Sequence, residues 1–110
     1  MADDFAVLYR WRLKPGAEDE FREGWRRVTL GILERCGSFG SRLHQADDGT
    51  WVAYARWPSA AARDACSEGP PVDPEGSRMM REASEFVYDE VVLTVVDDLL
   101  REPAAPPTRG

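Results

Sequence analysis

FAVLYRWRL, Phe5 to Leu13, alternates apolar Phe5, Val7, Tyr9, Trp11 and Leu13 with Ala6, Leu8, Arg10 and Arg12. A period of two is the pattern of a strand with one face turned to a core. Lys14-Pro15-Gly16 breaks the run, and Ala17-Glu18-Asp19-Glu20 then places acids where the positive end of a helix dipole favours them. Phe21, Trp25, Val28, Ile32 and Cys36 follow at steps of three and four, the apolar stripe of a helix laid on a sheet, and Gly37 ends it.

The segment SRLHQADDGTWVAYARWPS, Ser41 to Ser59, reads as a hairpin with Asp48-Gly49 as a two-residue type I′ loop. That loop pairs His44 with Ala53, Arg42 with Ala55 and Gly40 with Trp57. Paired residues share a face, so Arg42, His44, Trp51, Ala53, Ala55 and Trp57 are expected on one side, with Leu43, Val52 and Tyr54 on the other. A three-residue loop would slip this register by one.

Pro58-Ser59 opens a short helix, Ala60 to Ser67, which Gly69-Pro70-Pro71 interrupts. Asp73 or Pro74 starts a second helical stretch running to about Glu85, with Met79, Met80 and Ala83 turned inward. A last strand, Phe86 to about Val96, is apolar on both parities. The order β-α-β-β-α-β is that of an α+β, ferredoxin-like sandwich, an antiparallel sheet with its helices on one face. Leu8 on the back of the first strand and the two-sided last strand ask for a second cover. Another copy of the same sheet supplies it, so a homodimer is expected. One domain over residues 1–102 and a disordered tail, PAAPPTRG at 103–110, complete the reading.

Composition narrows the function. A formal charge of −6 with arginines interleaved among acids gives no clustered basic face, which argues against nucleic acid. No apolar run is long enough to cross a membrane, and the acidic start MADDF is unlike a secretory leader, so a cytoplasmic protein is expected. Cys36 and Cys66 are expected as reduced, half-buried thiols. One histidine and two distant cysteines make no metal set, and GSFGS at 37–41 joins helix to strand, the reverse of a dinucleotide loop. Neither a metal nor a bound organic cofactor is expected.

YRWRLKPG (9–16) leading into EFREGW (20–25), then GSRLH (40–44), DDGTWVAYARWPS (47–59) and the valine-rich last strand resemble the antibiotic biosynthesis monooxygenase superfamily, over roughly residues 5–97. The resemblance implies a dimeric α+β barrel with a ligand pocket between sheet and helices in each subunit. Its members include cofactor-free oxygenases of polyketide phenols, quinol oxygenases, haem-degrading enzymes and proteins of no known reaction. The haem-degrading branch is similar in having Trp at Trp57, but it needs an Asn where Tyr9 stands and a later histidine, and no histidine follows His44. That departure speaks against haem breakdown.

Combined with the hairpin register, the resemblance gives a candidate site. His44 is the candidate base that removes a phenolic proton and Arg42 the cation for the resulting oxyanion. Tyr9, Trp11, Trp57, Met79 and Met80 hold an aromatic ring, and Ala53 and Ala55 leave it space. Two functions stay open: a cofactor-independent monooxygenase of a small phenol- or quinol-type substrate, and a non-catalytic dimeric barrel that binds a small ligand or a protein partner.

Overall fold

The computed structural model describes residues 5–101. The tail expected to be disordered, 103–110, lies outside the described residues. The elements run β1 (Phe5–Leu13), α1 (Glu18–Cys36), β2 (Gly40–Gln45), β3 (Trp51–Trp57), α2 (Ala60–Glu68), α3 (Pro74–Ala83), β4 (Ser84–Val87) and β5 (Val91–Thr94). The sheet is antiparallel in the order β2-β3-β1-β4, with β5 also on β1. This is the α+β ferredoxin-like arrangement, its second helix split in two around Gly69-Pro70-Pro71.

The odd-numbered residues of β1 face the helices as the alternation requires. Val7 and Phe21 are fully buried, and Trp11, Leu13, Ala53, Ala55, Trp57 and Ala83 complete the inner layer. Phe21 of α1 meets Trp11 edge to face at 4.9 Å and Trp51 at 6.2 Å, pinning the helix across the strands. Helices α1 and α3 approach closely at Gly24 and Gly76. A Cβ on Gly24 would lie 2.7 Å from the Gly76 carbonyl oxygen. Asp73 caps α3 by accepting from the Gly76 N–H at 2.7 Å, and Arg27 of α1 ties that cap down at 3.2 Å.

Three expectations need correction. First, the hairpin loop has three residues. The Ala46 N–H donates to Thr50 C=O at 2.8 Å and the Gly49 N–H to Ala46 C=O at 3.0 Å. Gly49 alone takes positive φ, at 89°, so the loop is a turn followed by a left-handed glycine rather than a type I′ pair. Asp48 secures it, accepting from the Thr50 N–H at 2.9 Å and the Thr50 hydroxyl at 2.7 Å. The register becomes Ser41 with Ala55, Arg42 with Tyr54, Leu43 with Ala53 and His44 with Val52. β3 keeps its expected facing and β2 is inverted.

Second, the last strand is two. Asp89 and Glu90 interrupt it, the Tyr88 N–H still reaching Arg10 C=O at 3.1 Å while Arg10 lies over the Tyr88 ring at 4.7 Å. Helix α3 also stops at Ala83, before the expected Glu85, where the Ser84 hydroxyl donates to Met80 C=O at 2.6 Å. Third, Cys36 and Cys66 are not free thiols. The C-terminal turn of α1 meets α2 with Cα atoms 5.5 Å apart, and the two form a disulfide.

Candidate functional site

Between sheet and helices lies a cavity of about 220 Å³. Its floor comes from alternate residues of adjacent strands: Tyr9 and Trp11 of β1, Ser41 of β2, and Ala53, Ala55 and Trp57 of β3. Its roof is one face of α1, where Trp25, Val28, Thr29 and Ile32 recur at helical spacing, joined by Met80 of α3. The hollow exists because Ala53 and Ala55 leave the centre of the floor without bulk beside the two large rings of Trp11 and Trp57. A dry apolar cavity of about 150 Å³ holds a benzene ring, so this volume accommodates a small aromatic molecule.

The cavity's polar groups are few and neutral. Trp57 is 4% exposed, and its indole Nε1 has no hydrogen-bond partner. The Ser41 Oγ is likewise buried and unpartnered. Ser38 is engaged, accepting from the Gly40 N–H at 2.8 Å. Among the described residues that line the cavity there is no Asp, Glu, His, Lys or Arg.

A charged chain stands behind one wall. Arg63 of α2 pairs with Glu90, the residue that breaks the last strand, lies 3.5 Å from Asp64 and bonds to the Tyr9 phenol. Burial pushes the Tyr9 phenol above its ordinary value, and the Arg63 guanidinium opposes this only in part. Tyr9 is therefore a neutral phenol at physiological pH. For Arg63 itself burial disfavours the charge, but the bonds to Glu90 and Tyr9 outweigh it and hold the guanidinium ionised.

Of the residues singled out from sequence, Tyr9, Trp11, Ala53, Ala55, Trp57 and Met80 come together around this cavity, while Met79 does not line it. Arg42 and His44 are elsewhere. Both are exposed on the sheet face opposite the helices, because the three-residue loop turns β2 over. His44 donates through Nδ1 to Val52 C=O at 3.1 Å, a contact with the neighbouring strand on that outer face. The pairing of His44 with Trp57 in one pocket is thereby overturned. Ser41, Thr29, Arg63 and Glu90 were missed. For Ser41 a signal existed: Leu43 is the one large apolar residue of β2, and turning it to the core brings Ser41 in with it.

The arrangement, an apolar hollow under one long helix on the helix-covered face of a ferredoxin-like sheet, has a counterpart in sequence. Residues 4–72 match the family described as antibiotic biosynthesis monooxygenase. The chain belongs to that family. Among solved structures it is similar to SnoaB, a cofactor-independent oxygenase from Streptomyces nogalater, at 20% identity and a TM-score of 0.75, covering 91% of this chain and all of that one. It is also similar to Rv0793 from Mycobacterium tuberculosis, at 23% identity and a TM-score of 0.67, covering 88% of this chain and 99% of that one. At these identities the likeness is one of fold. No curated protein matches in sequence. As an antibiotic biosynthesis monooxygenase family member the chain carries a monooxygenase-like scaffold, and no helix among the described residues is long and apolar enough to cross a membrane.

Proposed function

We propose that this family member is a homodimeric oxygenase that acts on a small phenol- or quinol-type aromatic without a metal or bound organic cofactor. The observation that carries the reading is the cavity of about 220 Å³ with the unpartnered Trp57 indole in its wall. SnoaB, a cofactor-independent oxygenase of the same fold, supports it. An electron-rich ring needs no bound redox group. With 1,4-dihydroxynaphthalene, loss of a proton gives a carbanion at ring carbon 2, which delivers electrons to dioxygen and forms a C–O bond. The resulting hydroperoxide loses water, so that quinol plus O2 becomes 2-hydroxy-1,4-naphthoquinone plus H2O. Trp57 and Ser41 offer neutral donors to the developing oxyanion.

The dimer is proposed through the sheet face opposite the helices, where Leu8, Val52, Tyr54, Val91 and Leu93 share one side. Val91 is 40% exposed in the single chain and Leu8, Val52, Tyr54 and Leu93 beside it are half-buried, a contiguous apolar face of the kind that marks an interaction surface. Arg42 and His44 then belong to that interface. In the cytoplasm, where we place the protein, the reducing environment would work against the Cys36–Cys66 bridge.

One observation favours a second reading, a non-catalytic ligand-binding barrel: the cavity's described lining holds no general base. Oxygen uptake with 1,4-dihydroxynaphthalene separates the two. Hydroxylated naphthoquinone formed well above the uncatalysed background supports the oxygenase. Background levels of unsubstituted quinone and hydrogen peroxide, with the quinol still bound, leave the binding barrel. Sedimentation at micromolar concentration tests the dimer, and a clean monomer overturns it.

A further inference from the structure

We infer that Ser41 selects the ligand by its oxygen, so that the cavity takes an aromatic molecule whose ring bears a hydrogen-bond acceptor, a carbonyl or a phenolic oxygen, rather than a plain hydrocarbon ring. The inference rests on the cavity being a ligand site, as proposed above, and adds the ligand's polar chemistry and the residue that reads it. Ser41 pairs with Ala55 across the β2–β3 ladder, which turns its side chain toward the helices. Its Oγ is buried without a partner. A buried hydroxyl with no partner is costly and therefore uncommon, and a ligand that supplies the partner removes that cost on binding.

The only other buried, unpartnered polar atom in the cavity's described lining is Trp57 Nε1. Because Ser41 sits opposite Ala55, Trp57 is its diagonal neighbour on the same sheet face, and both line the cavity. The indole N–H can only donate, while the serine hydroxyl donates or accepts. An oxygen with two lone pairs satisfies both at once. An aromatic ammonium would face the indole donor and bury its charge among neutral groups. Of the other hydroxyls in the lining, Ser38 accepts from the Gly40 N–H, Tyr9 bonds to Arg63, and Thr29 is not buried without a partner, so none carries the unmet demand that the Ser41 Oγ does. Ser41 thus decides between ligands of equal shape.

The test uses a pair of equal shape, 1-naphthol and 1-methylnaphthalene, titrated calorimetrically into the full chain and into Ser41→Ala and Ser41→Thr. Loss of one neutral hydrogen bond predicts that Ser41→Ala binds 1-naphthol roughly three- to tenfold more weakly, with 1-methylnaphthalene within about twofold of its original affinity. Ser41→Thr keeps the hydroxyl and the preference. Unchanged 1-naphthol affinity in Ser41→Ala, or equal losses for both probes, overturns the role of Ser41 while the cavity stands. If neither probe binds the unaltered protein, the ligand site itself falls and this inference with it.

Discussion

Gly24→Ala tests the packing that sets the height of the cavity. A Cβ at Gly24 would stand 2.7 Å from the Gly76 carbonyl oxygen, 2.9 Å from Met79 Cβ and 3.0 Å from Met80 Cγ. In a helix interior the substitution by itself gains about 1 kcal/mol of propensity. Overpacking costs about 1–3 kcal/mol, and the upper part of that range applies because the closest contacts are a backbone oxygen and a Cβ, neither of which can swing aside. We expect net destabilisation of about 1–2 kcal/mol, the difference between these effects. At about 4–8 °C per kcal/mol for a domain near this size, circular dichroism should show a melting temperature lower by roughly 4–16 °C. Gly31→Ala is the control. Its Cβ would meet Val72 Cβ and Cγ2 at 3.1 Å, a side chain in a connection that can yield, so its effect should be smaller. Because Met80 also lines the cavity, Gly24→Ala should alter ligand affinity as well as stability. A melting temperature unchanged or raised in Gly24→Ala would refute the close-packed crossing and, with it, the argument that α1 and α3 are locked at this distance above the sheet.

Two further outcomes are expected. The disulfide spans a separation of 30 residues, and loop-closure arithmetic gives about 3–4 kcal/mol of stabilisation. The Cys36→Ser, Cys66→Ser double variant should therefore unfold at clearly lower urea, and an unchanged midpoint would show the bridge to be without consequence. On the acid side, the Gly76 N–H and then Arg27 hold the Asp73 carboxyl below the usual range, and the Thr50 hydroxyl and N–H do the same for Asp48. Both folded values lie below the unfolded ones. Their stabilisation is thus fully present above about pH 4 and is lost as pH falls through the lower folded values. Urea midpoints measured down that range should fall less in Asp73→Asn than in the unaltered chain, and parallel curves would discount the cap as the titrating element.

Much of the architecture is legible because it rests on patterns that repeat. The alternation in FAVLYRWRL and the three-four spacing of Phe21, Trp25, Val28 and Ile32 each count many residues toward one answer, and β1 and α1 form where those patterns lie. What escaped depends on single local choices. Whether Asp47-Asp48-Gly49 makes a loop of two residues or three is decided by one hydrogen bond from Ala46 to Thr50, yet it turns the whole of β2 over. The disulfide depends on how α2 comes back against the end of α1, a long-range meeting that no spacing records. Glu90 lies outside both pieces of the last strand and pairs with Arg63 of α2, a partner far off in sequence. Nothing in VYDEVVL alone distinguishes that break from a continuous ladder.

The inversion of β2 changes the chemistry open to the site more than it changes the fold. With His44 and Arg42 inside, a base and a cation would have stood against the ligand. With Ser41 inside, the described lining offers hydroxyls and an indole, which can stabilise negative charge by hydrogen bonding but cannot create it by taking a proton. The acidity must therefore come from the ligand, which restricts substrates to phenols and quinols whose own ionisation is accessible near neutrality once neutral donors surround the oxygen. A cavity of this kind contributes by shape, by apolar walls and by donors placed ahead of the charge that develops. The arginine that could have supplied more, Arg63, is committed to Glu90 and reaches the cavity only through the Tyr9 phenol. Selectivity thus falls to the groups that touch the ligand oxygen, and activity to the reducing power of the ring itself.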